Sequence, residues 1–184
     1  ATSEKGFKNL TKLSSSSYLK NNLMTDPSCN LKDLTENNED LILLTGNFTN
    51  FFGKLFLKNK LKDFEQILNS LKNRFKDRLY LEVQRHEEPQ EKNFENYLLN
   101  ISKSFQLPLI ATQEIFYLDQ NMYEAHDALT CIGEKNFVDD KNRFRYSNHH
   151  FFKSQEELEK LYSDIPEALE NNYNFPLRCN FRPL

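Results

Sequence analysis

Two short polar stretches and one basic loop are the places where this chain could do chemistry. Arg85-His86 closes the run Leu79-Tyr80-Leu81-Glu82-Val83-Gln84, and Gln113-Glu114 closes the apolar run Leu109-Ile110-Ala111. In a parallel α/β sheet the C-terminal ends of strands are where sites are built, and an imidazole and a carboxylate are both metal-ligand types. The bland alternative for His86 is a strand-end histidine hydrogen-bonded to a neighbour. Residues 141–150 interleave Lys141, Arg143 and Arg145 with Phe144, Tyr146, His149 and His150. Cations set among aromatic rings suit a loop that touches a phosphate backbone and stacks on bases. The same composition also suits a long connection in which Phe144 and Tyr146 anchor to the core, and Glu134, Asp139 and Asp140 dilute the local positive charge. His126, beside Asp127 in Glu-Ala-His-Asp, reads as a helix-surface or packing histidine. There is no glycine-rich phosphate loop and no Walker pattern.

These residues must be held by elements that the hydrophobic pattern predicts. Residues 79–84 alternate Leu79, Leu81 and Val83 with Tyr80, Glu82 and Gln84, the period of a half-buried strand. Phe94, Tyr97, Leu98, Ile101 and Phe105 are spaced by three and four, which predicts a helix over 90–105. Pro108 ends that region, and 109–111 is a short buried strand, completing a βαβ unit.

Upstream, Ser3 caps an opening helix with an apolar stripe of Phe7, Leu10 and Leu13, ending near Ser14–Ser17. Residues 21–30, with Pro27, read as a loop, and Leu31 and Leu34 as one helical turn. Residues 40–46 predict a strand stopped by Gly46. Two amphipathic helices follow, broken near Asn59, with Phe48, Phe51, Phe52, Phe56 and Ile67 expected against the strands. Downstream, a helix over 122–132 should close at Gly133, residues 137–152 are irregular, and Ser154-Gln155-Glu156-Glu157 is a capping box. A last helix runs from Glu167 to about Asn174, with a kink or stop expected at Pro176.

Composition excludes several classes. A chain of 184 residues with 38% hydrophobic content, sixteen Phe and eight Tyr can bury a real core. The net charge of −3 exerts no global pull on nucleic acid. Cys29, Cys131 and Cys179 are far apart and form no C-x-x-C pair, which points to inert thiols in a reducing cytoplasm. No apolar run is long enough for a membrane helix and no secretory leader is visible, so cytoplasmic placement is expected.

The motifs Leu-Tyr-Leu-Glu-Val-Gln-Arg-His, Pro-Leu-Ile-Ala-Thr-Gln-Glu-Ile-Phe-Tyr-Leu and Tyr-Glu-Ala-His-Asp-Ala-Leu-Thr-Cys-Ile carry a further signal. With the opening Ser-Glu-Lys-Gly-Phe-Lys-Asn-Leu and the closing Asp-Ile-Pro-Glu-Ala-Leu-Glu-Asn-Asn, they resemble bacterial DNA polymerase III alpha subunits, in the N-terminal PHP (polymerase and histidinol phosphatase) domain. The resemblance runs over nearly the whole chain with the motifs in the family's order. It implies an α/β fold, part of a PHP-type distorted (β/α) barrel with parallel strands. Residues 1–184 would be the C-terminal portion of that single domain, lacking its N-terminal strands and their histidine-rich metal motifs. The parent would be a DNA-directed DNA polymerase using Mg, with its catalytic aspartates beyond Leu184 and no cofactor in this stretch. The implied partners are the proofreading exonuclease subunit, other replisome subunits and DNA through the parent, with no membrane.

Active PHP proteins hold divalent metals at the strand ends, and this chain departs from their pattern. The family's last metal motif is Asp, any residue, His, where this chain has Glu114-Ile115-Phe116. A phenyl ring has no lone pair to donate. The extra methylene of Glu adds about 1.5 Å, against a tolerance of roughly 0.2 Å in metal–ligand distance. Asn47 stands where the family commonly has cysteine, and a neutral amide is a weak ligand for a transition metal. His86 matches a family histidine near the metals. The resemblance therefore implies a vestigial site at His86, Glu114, Phe116 and Asn47, in a metal-free scaffold that supports the polymerase and docks the exonuclease. The rival readings are a metal-dependent phosphoesterase or 3′–5′ exonuclease, and a stand-alone histidinol-phosphatase-like protein, against which the Glu-Ala-His-Asp to Arg-Cys-Asn-Phe tail speaks.

Overall fold

The structure, a computed structural model, describes residues 1–19, 26–179 and 181–183. Half of the loop expected over 21–30, residues 21–25, lies outside the described residues; residues 26–30 form no regular element. Three parallel strands in the order β1-β2-β3 organise the rest: β1 (Leu43–Leu44), β2 (Leu79–Val83) and β3 (Leu109–Ala111). The register pairs Leu43 with Leu79 and Leu81 with Leu109. Helix α5 (Glu91–Phe105) makes the β2–β3 crossover, so the expected βαβ unit is present. Helices α1 (Glu4–Leu19), α2 (Leu31–Glu36), α3 (Phe51–Leu57) and α4 (Leu61–Phe75) precede β2, and α6 (Tyr123–Glu134), α7 (Gln155–Leu161) and α8 (Pro166–Arg178) follow β3. This alternation around parallel strands is what part of a distorted (β/α) barrel requires.

The core forms where the periodic stripes meet. Leu79, Leu81 and Val83 of β2 cluster with Phe64, Leu68, Leu71 and Phe75 of α4 and with Phe94, Leu98 and Ile101 of α5. Phe64 is edge-on to Phe52 at 4.7 Å and to Tyr97 at 5.2 Å, tying α3, α4 and α5 together. Of the five residues expected against the strands, Phe52 is buried, and Phe48, Phe56 and Ile67 are partly buried against the core. Phe51 is half exposed instead. Adjacent residues on a helix point about 100° apart, so when Phe52 turns inward Phe51 cannot follow. In α1 only Leu13 of the expected stripe is buried, although Ser3 does cap the helix through Gly6 N–H at 3.2 Å.

Three boundaries differ from expectation, two of them for a tertiary reason. The strand expected over 40–46 pairs as a strand only at Leu43–Leu44. Asp40 adopts a left-handed φ of 57°, and Arg78 takes the carbonyls of Asn38 and Leu41 at 2.7 and 2.6 Å. Helix α6 runs through Gly133 and ends at Lys135, which adopts the left-handed turn itself. Helix α8 continues past Pro176 to Arg178. Proline removes a single N–H there, and Arg178 secures the final turn through Asp77 Oδ2 and the Tyr80 hydroxyl at 2.8 and 2.7 Å.

Helix α8 also seals one side of the sheet. The outward carbonyls of β3 accept from its asparagines, Leu109 O from Asn171 Nδ2 at 2.8 Å and Ala111 O from Asn172 Nδ2. An edge strand normally presents such groups unpaired.

Candidate functional site at the strand ends

The C-terminal ends of the three strands are locked by one polar network. Glu82 on β2 accepts from Gly46 N–H at 3.0 Å, just after β1, and from the Thr112 hydroxyl, just after β3. Gln84 donates to Thr112 Oγ1 at 2.8 Å and accepts from Asn47 Nδ2 at 3.0 Å. Asn47 also accepts from the Thr49 N–H and hydroxyl, and is buried. The polar face of the alternating β2 pattern thus fixes the floor of the site.

Above that floor lies a cavity of about 370 Å³ lined by Asn47, His86, Glu114 and His150, with Phe144 and Tyr146 from the irregular loop. Asn47, His86 and Glu114 are thus brought together, as their positions at strand ends imply. Phe116 lies at the margin, its ring 5.0 Å from that of His150 and 5.1 Å from that of His126. The packing reading of His126 is consistent with this stack.

His86 is fully buried and both its ring nitrogens face protein groups. The Glu114 backbone N–H donates to Nε2 at 3.2 Å, while Nδ1 lies 3.4 Å from Glu91 Oε1. A nitrogen that accepts a hydrogen bond carries no proton, so the neutral ring bears its hydrogen on Nδ1, toward Glu91. His150 stacks on this ring at 4.1 Å and 1°. Its Nδ1 donates to the Glu114 carbonyl at 3.1 Å and its Nε2 lies 3.2 Å from Glu88 Oε1. Burial, then the neighbouring His86, pushes the His150 pKa down, against the upward pull of Glu88 and the Glu114 carbonyl. His150 and Glu88 are site residues that the sequence reading missed. The available signal was the position of Glu88 two residues after a strand-end histidine.

The three cations of the loop have different surroundings. Arg143 forms a two-pronged ion pair with Asp127 of α6, at 2.6 and 2.5 Å, with both side chains buried. Arg145 reaches the same carboxylate at 3.2 Å and lies over the Tyr123 ring at 5.3 Å. Lys141 is exposed and forms no ion pair among the described residues.

Residues 1–86 match the family described as PHP domain. The chain is 36% identical over 181 residues to the DNA polymerase III subunit alpha of Caulobacter vibrioides, covering 98% of this chain and 16% of that protein. Identity to the subunits of Rickettsia bellii and Escherichia coli K12 is 35% and 31%, again over 98% of this chain and 15% and 16% of theirs. The chain carries a PHP domain of the DNA polymerase III alpha type. It spans about one sixth of the length of these curated relatives.

A PHP site implies a metal cluster, and the residues present here do not fit one. Among the described residues no three His, Cys, Asp or Glu side chains converge as a metal site requires. A metal on His86 Nε2 would have to displace the Glu114 N–H, and the ring of Phe116 offers no donor. Among the described residues no helix is long and apolar enough to cross a membrane.

Proposed function

We propose that this PHP region is a metal-free scaffold within a replicative DNA polymerase alpha subunit. It supports a Mg-dependent, template-directed polymerase working in the cytoplasm, and it docks the proofreading exonuclease subunit among other replisome partners. Residues 1–184 act as one domain in this reading. The observation that carries it is the hydrogen bond from the Glu114 N–H to His86 Nε2, next to a phenyl ring at the position of a family ligand. The rival reading, a metal-dependent phosphoesterase or 3′–5′ exonuclease, needs that imidazole free.

Dialysis of the chain against zinc and manganese, followed by elemental analysis, is expected to leave less than one metal per chain and no phosphoesterase activity. Stoichiometric metal that disappears in His86→Ala would overturn the metal-free reading. Co-purification with the exonuclease subunit tests the docking role separately, and its absence with the intact alpha subunit would remove that role.

A narrower reading of the loop is favoured by Phe144, which is 63% exposed beside the cavity, and by Lys141, which is exposed and forms no ion pair among the described residues. In this reading Lys141 and Phe144 contact DNA, while Arg143 is held by Asp127. In the intact polymerase Lys141→Ala is expected to reduce the salt slope of primer-template binding by roughly one unit, since each phosphate contact releases condensed counterions. An unchanged slope would leave the loop a packing element.

A further inference from the structure

The strand-end cavity, about 370 Å³ in volume, holds polar groups that the fold itself leaves unused. Part of its lining is committed. Asn47 is bonded to Gln84 and Thr49, Glu88 accepts from Ser147 N–H at 2.7 Å and faces His150 Nε2 at 3.2 Å, and the two imidazoles stack on each other. Glu114 differs. Its backbone N–H and carbonyl serve His86 and His150, but its carboxylate makes no hydrogen bond or ion pair among the described residues. The Tyr146 hydroxyl is equally free there, although the Tyr146 carbonyl accepts from Tyr123. Burial first, then the carboxylates of Glu114, Glu88 and Glu134, push the Tyr146 phenol up, so it remains a donor at neutral pH. Lys54 of α3 brings a third free group, an ammonium with no ion pair among the described residues.

One cavity thus presents a free carboxylate, a free hydroxyl donor, a free ammonium and the exposed ring of Phe144. Its volume lies in the range of small-molecule sites, roughly 300–1,000 Å³. A carboxylate offers two acceptors side by side and no donor, so it suits a ligand edge with two adjacent N–H groups. Among the nucleobases guanine has that edge, N1–H beside the N2 amino group, and next to them O6 accepts from a hydroxyl. Adenine puts an unprotonated N1 in the same place, where its lone pair would face the carboxylate. The Phe144 ring supplies a stacking surface, and an ammonium suits a phosphate. A free amino acid would satisfy the two charges but leave the hydroxyl and the ring unused.

We propose that the strand-end cavity binds a guanine nucleotide, with no metal ion and no hydrolysis. The base lies on Phe144, its N1–H and N2–H donate to Glu114, O6 accepts from the Tyr146 hydroxyl, and the phosphate meets Lys54. This rests on the metal-free reading of the same cavity given above. The recognition chemistry is shared by a free nucleotide and by an unpaired guanine in a single strand.

The test titrates the whole chain, labelled with nitrogen-15, with GMP, AMP and guanosine in EDTA, following amide shifts by NMR. GMP is expected to bind about tenfold more tightly than AMP, the scale of one two-pronged contact to a base edge. Glu114→Gln should erase that preference, and since this carboxylate bonds to nothing in the fold, the variant is expected to stay folded. Phe144→Ala should weaken GMP and AMP alike by fivefold or more through lost stacking. Lys54→Ala should weaken GMP and leave guanosine unchanged, whereas Lys103→Ala, in the last turn of α5, should alter neither. Hexathymidylate carrying one guanine, compared with GMP, separates a strand from a free nucleotide as the source. Equal affinity for GMP and AMP, or a guanine preference that survives Glu114→Gln, would overturn the proposal. Because EDTA removes divalent ions, either failure leaves the metal-free reading standing, and that reading falls only to the dialysis result.

Discussion

Asp127 carries more consequence than its place in a helical motif suggests. The Arg143 guanidinium, hydrogen-bonded to it, holds its carboxyl below the usual value of 3.8, and Arg145 adds to the effect. A carboxyl with a depressed folded pKa stabilises fully above its unfolded pKa, and that stability is lost as pH falls through the folded value. Asp127→Asn is therefore expected to lower the melting temperature at neutral pH, with the gap to wild type closing under acid; a gap independent of pH would assign the effect to packing. The pairing was not legible in sequence, because Arg143 reads as a free loop cation until the fold brings it onto α6. At the strand ends the reverse holds, since Asn47, His86 and Glu114 were legible from strand positions and motifs, and the stacked His150 was not. Phe116→His tests what the geometry adds to the motif. Restoring the imidazole is expected to gain no stoichiometric zinc by calorimetry, because His86 Nε2 still accepts the Glu114 N–H. Tight one-to-one binding would mean that Phe116 alone abolishes the site.

Elements were legible wherever one periodicity decided them. The βαβ unit from β2 to β3 lies where its hydrophobic pattern marks it, although β2 is not half-buried as its alternation implies, since Tyr80 on the other face is buried too, beside Phe175 of α8. Leu68 in α4 is completely buried, so Leu68→Ala is expected to cost about 2–5 kcal/mol in chemical denaturation. Local capping was equally readable. Ser154 accepts from Glu157 N–H at 3.2 Å and Glu157 returns the bond to Ser154 N–H at 2.7 Å. Ser154→Ala should cost roughly 1 kcal/mol, with Ser154→Asp restoring most of it. What escaped were ends decided at long range, as where Arg78 diverts the carbonyls before β1 and Arg178 carries α8 beyond Pro176. No local pattern encodes a partner 40 or 98 residues away.

At the scale of the molecule the sheet is treated unequally on its two sides. Asn171 and Asn172 cover the outward carbonyls of β3, whereas β1 has no strand on its far side among the described residues. The double exchange Asn171→Ala, Asn172→Ala is expected to raise light scattering on storage, since it bares an edge that other chains can pair with; unchanged scattering would make the two amides dispensable. Nothing in α8's sequence announced this role, because two adjacent asparagines on a helix read as solvated surface until β3 is beside them. The result is a sheet with a polarity of growth. Among the described residues the sheet edge left for an additional strand, whatever polypeptide supplies it, is that of β1, so the side on which such a layer is extended is set by one helix on the opposite flank.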